Sequence, residues 1–337
     1  MKSTRLSGPT QQRETQLKPG LLPVLAITVA AAFAAPVSAQ QATLRAVTAF
    51  AEGTQFSKNF ERFIEKVNQD GKGVVQINYI GGPRAVPPFE VGNAVRTKVA
   101  DMANVTGAFY TNLMPEADAF KLISKPMSEQ RKDGTWAFIN ELHNKKLNSH
   151  YLARQFHNVP FHIYLNKKID KLDFSGLKIR VTPVYRDVVQ ALGGTPITTP
   201  PGEVYTALER GVVDGYGWPV SGIFDLGWNK VTKFRMEPPF YAVDVGVLVN
   251  LDVWNGLNDA QRKVLNDAAL WLEALDAENV AANKSEVEKQ KQAGIEPIDF
   301  GPEESRRFLQ RAHDIGWESV IKRAPDTAPK LRQLSGN

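Results

Sequence analysis

Cysteine is absent from all 337 residues, and that one absence excludes disulfides, thiolate zinc sites, iron–sulfur clusters and a cysteine nucleophile together. Histidine is nearly as scarce. The five, His143, His150, His157, His162 and His313, form neither HExxH nor any other spacing that sets two ligands on one helix face. His157 and His162 fall close to each other in the chain, and the reading for them is structural or surface histidine. GxSxG, Walker A and GxGxxG are also missing, so acyl transfer, phosphoryl transfer and dinucleotide chemistry lack their usual sequence support. There is no repeat, low-complexity tract or long linker. What remains is an ordinary globular composition, 42% hydrophobic and 23% charged, with apolar material enough for a sizeable core and a length that suggests about two domains.

Residues 1–39 read as a secretory leader, with Lys2, Arg5, Arg13 and Lys18 ahead of the apolar run Leu21 to Ala35 and small residues at Val37-Ser38-Ala39 for cleavage after Ala39. The alternative is a membrane anchor, but the run is about 15 residues where a spanning helix needs about 20. The leader holds four of the 41 basic residues and one of the 36 acidic ones, leaving 37 against 35. A nearly neutral remainder argues against nucleic acid or an anionic membrane as partner, since either needs a dominant basic face.

From Leu44 onward, β-rich runs alternate with helical periods, which predicts α/β units around a largely parallel sheet. Leu44 to Thr48, Val75 to Tyr79 and Val99 to Thr106 are strand candidates, with Phe56, Phe60, Phe63, Ile64 and Val67 forming one helix face between the first two. A second series starts near Phe161. It runs through strand candidates Leu177 to Val181 and Val212 to Tyr216, a helix from Tyr185 to Leu192, and another from Val204 to Arg210 that Thr199 is placed to cap. After Tyr241 to Val249, Asn258 and Gln261 make a capping box. The helix they open is expected to run towards Gly294, some 35 residues and about 50 Å, with Val264, Ala268, Leu272 and Leu275 on one face.

Arg180 stands in an otherwise apolar strand, and an arginine there needs a partner. Its planar fork suits a carboxylate held bidentately, either a buried Asp or Glu of the protein or a small organic anion. Val213 to Pro219 then places Tyr216 and Trp218 among glycines after a predicted strand, where aromatics either enclose a ligand or pack the core.

The stretches GLKIRVTP (176–183) and ALGGTPITTPPGEVYTALERGVVDGYGWP (191–219), behind a leader, resemble the solute-binding proteins of TRAP transporters, the DctP family. NLDVWNGLNDAQRKVL (250–265) extends the resemblance, which covers essentially the whole chain after the leader. It implies a two-lobed periplasmic binding-protein fold, each lobe a mixed sheet with flanking helices, joined by hinge strands and a long helix. The first lobe is expected over 40–157 with about 246–285 returning to it, the second over 158–245 with about 286–337. Arg180 matches the family's carboxylate-clamping arginine, and Trp218 and Pro201 match cleft positions. Asp244 falls near a polar cleft position, while Phe50, Arg84, Phe109 and Tyr110 fall on first-lobe loops that face the ligand. Pro201 stands where some sialic-acid binders carry an aromatic, and their second arginine has no counterpart near Pro160, which argues against sialic acid.

The resemblance further implies a periplasmic protein that makes and breaks no bond and delivers a small carboxylate to the small and large TRAP membrane subunits; no cofactor and no metal-ligating residue is expected, and whether a metal ion accompanies the ligand stays open. One arginine with aromatics nearby favours a monocarboxylate with an apolar or aromatic body, or a 2-oxo acid; a C4-dicarboxylate needs a second cation, which Arg84 would supply. Two other classes stay open: a secreted enzyme acting on an organic acid, with Asp214 or Asp244 as general base, and a binding protein that serves a sensory receptor.

Overall fold

The structure, a computed structural model, describes residues 41–336 together with Gln12 and Glu14; apart from those two positions, the leader expected over 1–39 lies outside the described residues. Strand β1 (Ala42–Thr48) is followed by α1 (Gln55–Asp70), whose buried side carries Phe56, Phe60, Phe63, Ile64 and Val67 as their spacing requires. β2 (Val75–Gly81), α2 (Val91–Arg96) and β3 (Met102–Val105) follow. A 3-10 segment over Pro115–Leu122 leads to α3 (Met127–Asp133) and α4 (Thr135–Leu147), separated by Gly134 at φ 88°, a left-handed turn that glycine adopts without strain. β4 (Ser149–Gln155) and β5 (Pro160–Leu165) come next, then β6 (Lys178–Val181), α5 (Arg186–Ala191), β7 (Thr195–Thr198), α6 (Val204–Glu209) and β8 (Gly215–Pro219). The chain closes with β9 (Phe234–Glu237), β10 (Tyr241–Ala242), β11 (Val245–Asn250), α7 (Leu251–Gly256), α8 (Asp259–Ala274), α9 (Asp276–Gln292), β12 (Glu296–Asp299), α10 (Pro302–Arg323) and α11 (Ala328–Ser335).

Two sheets organise these elements. The first runs β2-β1-β3-β11-β4 and the second β12-β9-β5-β8-β6-β7, with β10 also paired to β5. Neither is largely parallel, as the strand–helix alternation suggested; both are mixed. β1 is parallel to β2 and β3, but β11 runs antiparallel to β3 and β4, and β5 runs antiparallel to β8, β9 and β10. The antiparallel members are the strands adjoining the crossings between the sheets. Residues 156–159 carry the chain from β4 to β5, and Val243-Asp244 carry it back from β10 to β11. The two crossings lie side by side, with the Val243 N–H donating to the Val159 carbonyl at 3.0 Å.

The long helix is two helices. The capping box at Asn258 and Gln261 is present, but Leu275 has ψ −7° and its N–H reaches back to the Leu272 carbonyl, so the path turns there. Ala268, Leu272 and Leu275, three of the four residues expected on one apolar face, are buried with α1 against the first sheet. α9 buries amides instead: Asn283 donates to the Asn158 carbonyl, and Gln290 donates to the Val220 carbonyl and accepts from Arg235. Apolar patterning therefore ends where the second sheet takes over. At the turn, Asp276 accepts from the Phe156 N–H at 3.1 Å and Asn158 Nδ2 at 2.9 Å, tying the bend to the first crossing.

The second edge of the fold is shared. β12 joins the second sheet, α10 packs against both the 115–122 segment and α5, and α11 rests on α4. No helix among the described residues is long and apolar enough to cross a membrane.

Candidate functional site

Arg180 lies on β6 opposite Tyr216 of β8 and Ile197 of β7, and it has no solvent exposure. Its Nε and Nη2 donate to one acceptor, the Thr199 carbonyl, at 2.9 and 2.7 Å, and its Nη1 donates to the Tyr185 hydroxyl at 3.3 Å. Both acceptors are neutral, and Arg180 takes part in no ion pair among the described residues. A guanidinium has five N–H groups; three are used, so one remains on each Nη. That pair forms the end-on fork that grips a carboxylate.

The surroundings are built to hold this arrangement. Thr199 does not cap a helix, because α6 starts later, at Val204; the Pro200-Pro201 segment that follows instead holds its carbonyl against Arg180. Pro183 opens a short turn that returns Tyr185 over β6, where its hydroxyl donates to the carbonyl of Gly217 at 3.0 Å. Gly217 is small for a reason: a Cβ there would lie 2.5 Å from the Tyr185 ring. The Trp218 ring centroid lies 5.8 Å from Arg180 Cζ, within the range of a cation–π contact.

These residues line an inner chamber between the two sheets, together with Phe50, Phe109 and Asp244. A wider outer chamber adjoins it and is lined by Arg84, Pro201, Glu52 and Asp225; Phe50, Phe56 and Trp218 form the shared wall. Phe50 and Phe56 sit at 5.5 Å and Phe56 meets Trp218 edge-on at 5.9 Å, so an aromatic path joins the first-sheet side to the second. A polar contact joins them too. The Gln55 N–H at the start of α1 donates to the Asp225 carboxylate at 2.7 Å, across the mouth of the cleft.

Asp244 occupies the second crossing and is 6% exposed. Its Oδ2 accepts from the Gly107 N–H at 2.8 Å and its Oδ1 from the Thr106 hydroxyl at 3.3 Å. Burial pushes its carboxyl above the usual range, and Arg154 and the Gly107 N–H counter that only in part. Lys121, also buried at the chamber wall, gives its charge to Asp118, which pairs with Arg323 as well; burial lowers the Lys121 ammonium's pKa.

A model of the DctP family, the bacterial extracellular solute-binding proteins of family 7, matches residues 46–322. The chain belongs to this family. Among curated DctP-like relatives, a C4-dicarboxylate-binding periplasmic protein of Rhodobacter capsulatus is 35% identical over 151 residues, 44% of this chain and 43% of that one. A monocarboxylate 2-oxoacid-binding periplasmic protein of Nostoc is 34% identical over 103 residues, 29% of this chain and 28% of that one. The chain thus matches less than half the length of either. Among solved structures, a Bordetella pertussis extracytoplasmic solute receptor binding pyroglutamic acid superposes with a TM-score of 0.77 at 19% identity, covering 87% of this chain and 99% of that one. A TRAP periplasmic solute-binding protein of Desulfovibrio salexigens with bound orotic acid gives 0.78 at 20% identity, covering 87% and 97%. The fold is therefore the two-lobed one of the TRAP solute receptors.

Within this DctP-family chain, the structure brings together Arg180, Trp218, Asp244, Phe50 and Phe109 in the inner chamber, and places Pro201 and Arg84 in the outer one. Arg84 is exposed at that mouth and is not beside Arg180. Tyr216 and Tyr110 do not reach either chamber. Tyr216 shares a strand face with Trp218, but Trp228 covers it at 4.9 Å and its hydroxyl bonds Thr232. Tyr110 turns away beneath α2, and its hydroxyl meets His143 Nε2 at 3.1 Å. Phe56, Lys121, Thr182 and Tyr185 line the inner chamber without having been singled out in sequence. Phe56 was absorbed into the apolar face of α1, whereas Tyr185, five residues after Arg180 and just past a proline, carried a usable signal.

Asp214, one of the two general-base candidates, is engaged elsewhere. Burial raises its carboxyl, but Lys167 at 2.6 Å and the Lys178 N–H outweigh that and hold it below the usual range. His157 and His162 have separate partners, Asp276 for the first and the Met236 carbonyl for the second. Among the described residues, no group of three or more His, Asp or Glu is placed to hold a metal ion.

Proposed function

We propose that this chain is the extracytoplasmic receptor of a TRAP transporter, which captures a small organic acid between its lobes and delivers it to the small and large membrane subunits for uptake. One observation carries the reading: Arg180 is a fully buried cation whose partners in the protein are neutral oxygens, and its two remaining N–H groups fit a carboxylate. A buried charge left without a counterion costs several kcal/mol. A bound carboxylate removes that cost, and exclusion of water on closure strengthens the pair. Capture by the lobes hinging together needs no chemical step.

The first lobe is carried by residues 40–157 with about 246–285, and the second by 158–245 with about 286–337; β1 to β4 and β11 support the first assignment, β5 to β10 and β12 the second, while α10 and α11 lean on the first lobe as well. The two side-by-side crossings and the bend at Leu275 are the hinge points. Residues 1–39 act as the export leader, removed after Ala39 in the periplasm, which the intact mass of the exported protein tests.

The function is tested by a thermal-shift screen of residues 40–337 against dicarboxylates, hydroxy and oxo acids, aromatic acids, sugar acids and neutral controls, after unfolding and refolding to remove any co-purified ligand. A ligand that binds the native state raises its apparent stability. Selective shifts by one class of acid are expected; shifts by neutral compounds alone would overturn the reading.

A further inference from the structure

The inner chamber contains a second charge whose demand is opposite to that of Arg180. Asp244 is buried, lines the chamber, and takes part in no ion pair among the described residues. The other charged side chain at the wall, Lys121, is held by Asp118, so it does not neutralise Asp244. Arg154, the cation that acts on Asp244 through space, spends its Nη2 on the carbonyls of Phe120 and Ile123.

The contacts Asp244 does make fit the ionised carboxylate. The Gly107 N–H donates to one oxygen. Thr106 accepts from the Ala108 N–H, which leaves its single hydroxyl proton directed to the other oxygen, at 3.3 Å. Two ionised oxygens offer about four acceptor positions, and two contacts leave capacity for a donor from the chamber. A carbonyl oxygen placed there would meet lone pairs with lone pairs. A hydroxyl, ammonium or amide N–H would instead offset the burial that raises the Asp244 carboxyl.

Building on the receptor reading above, we propose that the ligand carries, beside the carboxylate gripped by Arg180, an N–H or O–H donor accepted by Asp244, so that hydroxy, amino and lactam acids bind in preference to 2-oxo acids of the same skeleton. This narrows the expectation drawn from sequence, where one arginine and several aromatics favoured a monocarboxylate with an apolar or aromatic body, or a 2-oxo acid. Arg180 sets the requirement for an acid, Phe50, Phe109 and Trp218 accept an apolar body, and Asp244 chooses among acids by the group next to the carboxylate.

The test is isothermal titration of refolded residues 40–337 at pH 8 with pairs of one skeleton in which one member has the donor and the other lacks it: mandelate against phenylglyoxylate, 2-hydroxybutyrate against 2-oxobutyrate, and pyroglutamate against its N-methyl derivative. The donor-bearing member of the pair that fits is expected to bind at least ten-fold more tightly. Asp244→Asn keeps an oxygen for Gly107 and presents an NH₂ group in place of the second oxygen, so the ratio should shrink at least ten-fold or invert. Equal affinities in the unsubstituted protein, or tighter binding of the oxo acid, would overturn the inference while leaving the carboxylate receptor intact. Absence of binding by every acid, in this set and in the wider screen, would overturn both.

Discussion

Replacing Arg180 by methionine separates what the residue does for the fold from what it does for the ligand. The substitution keeps an unbranched stem and removes the charge. In the free protein, the Thr199 carbonyl loses both its donors, a loss of about 1–3 kcal/mol for a buried acceptor left unpaired. Tyr185 keeps its bonds to the carbonyls of Arg180 and Gly217, because those are backbone groups. Against the lost bonds stands relief from a buried charge with no counterion, a gain of similar size. The two nearly cancel, so the unliganded protein should melt within about 5 °C of the original. Binding has no such compensation. Losing one half of a buried, hydrogen-bonded charge pair costs about 2–5 kcal/mol, or roughly 30- to 5,000-fold in affinity. Titration with the acid that gives the largest thermal shift measures this directly, and Arg180→Lys, which retains charge without the planar fork, should fall between. An Arg180→Met protein that binds its acid within three-fold of the original would refute the assignment.

Other expectations follow from single contacts. Asp225→Ala removes the carboxylate that meets the Gln55 N–H across the cleft mouth; at about 0.3–1 kcal/mol for a helix N-terminal contact, ligand release followed by Trp218 fluorescence should quicken about two- to five-fold, and an unchanged rate would show that the contact does not hold the closed form. Gly217→Ala places a methyl 2.5 Å from the Tyr185 ring and should lower stability by about 1–3 kcal/mol while weakening acid binding, which urea unfolding and titration check together. His143 and His150 are held neutral, with burial pushing each imidazole down to about 4. The unfolded chain therefore takes up their protons first as the pH falls below about 6.5, and stability should be lost between about 6.5 and 4, by about 3 kcal/mol per imidazole. Urea midpoints across that window measure the slope, His143→Gln should remove its share, and a flat profile would contradict the burial.

Arg180 was legible in sequence because a charge set between Ile179 and Val181 in a strand candidate has few explanations, and the motif around it narrowed those further. Trp218 was legible as an aromatic at a strand end. Tyr216, two residues earlier on the same face, looked equivalent; Trp228 packs on both, and what distinguishes them is that Tyr216 stacks on Tyr164 and bonds Thr232 through its hydroxyl while Trp218 meets Phe56 across the cleft, partners that no local spacing reveals. Strand β4 escaped notice for a related reason. It is buried throughout yet contains His150, Arg154 and Gln155, which are accommodated by distant partners: Arg154 donates to the Phe120 carbonyl, Gln155 donates to Asn104, and the His150 ring stacks on Trp254. The bend at Leu275 was hidden because one helical period passes through it; the change lies in the partner surface, from the apolar back of the first sheet to the amide-bonded flank of the second.

The position of β11 bears on how this chain can be made and divided. It lies between β3 and β4, and β4 has no other partner in its sheet, although β11 follows β4 by an excursion through most of the second lobe. Until Val245–Asn250 arrives, β3 presents an open edge and β4 is unpaired, the kind of exposed ladder that pairs with other chains. A nascent polypeptide cut before Val245 is thus an aggregation hazard, not a half-receptor. Neither lobe can be expressed as one continuous fragment, and sensor engineering on this scaffold belongs in its surface loops, with both crossings left uncut.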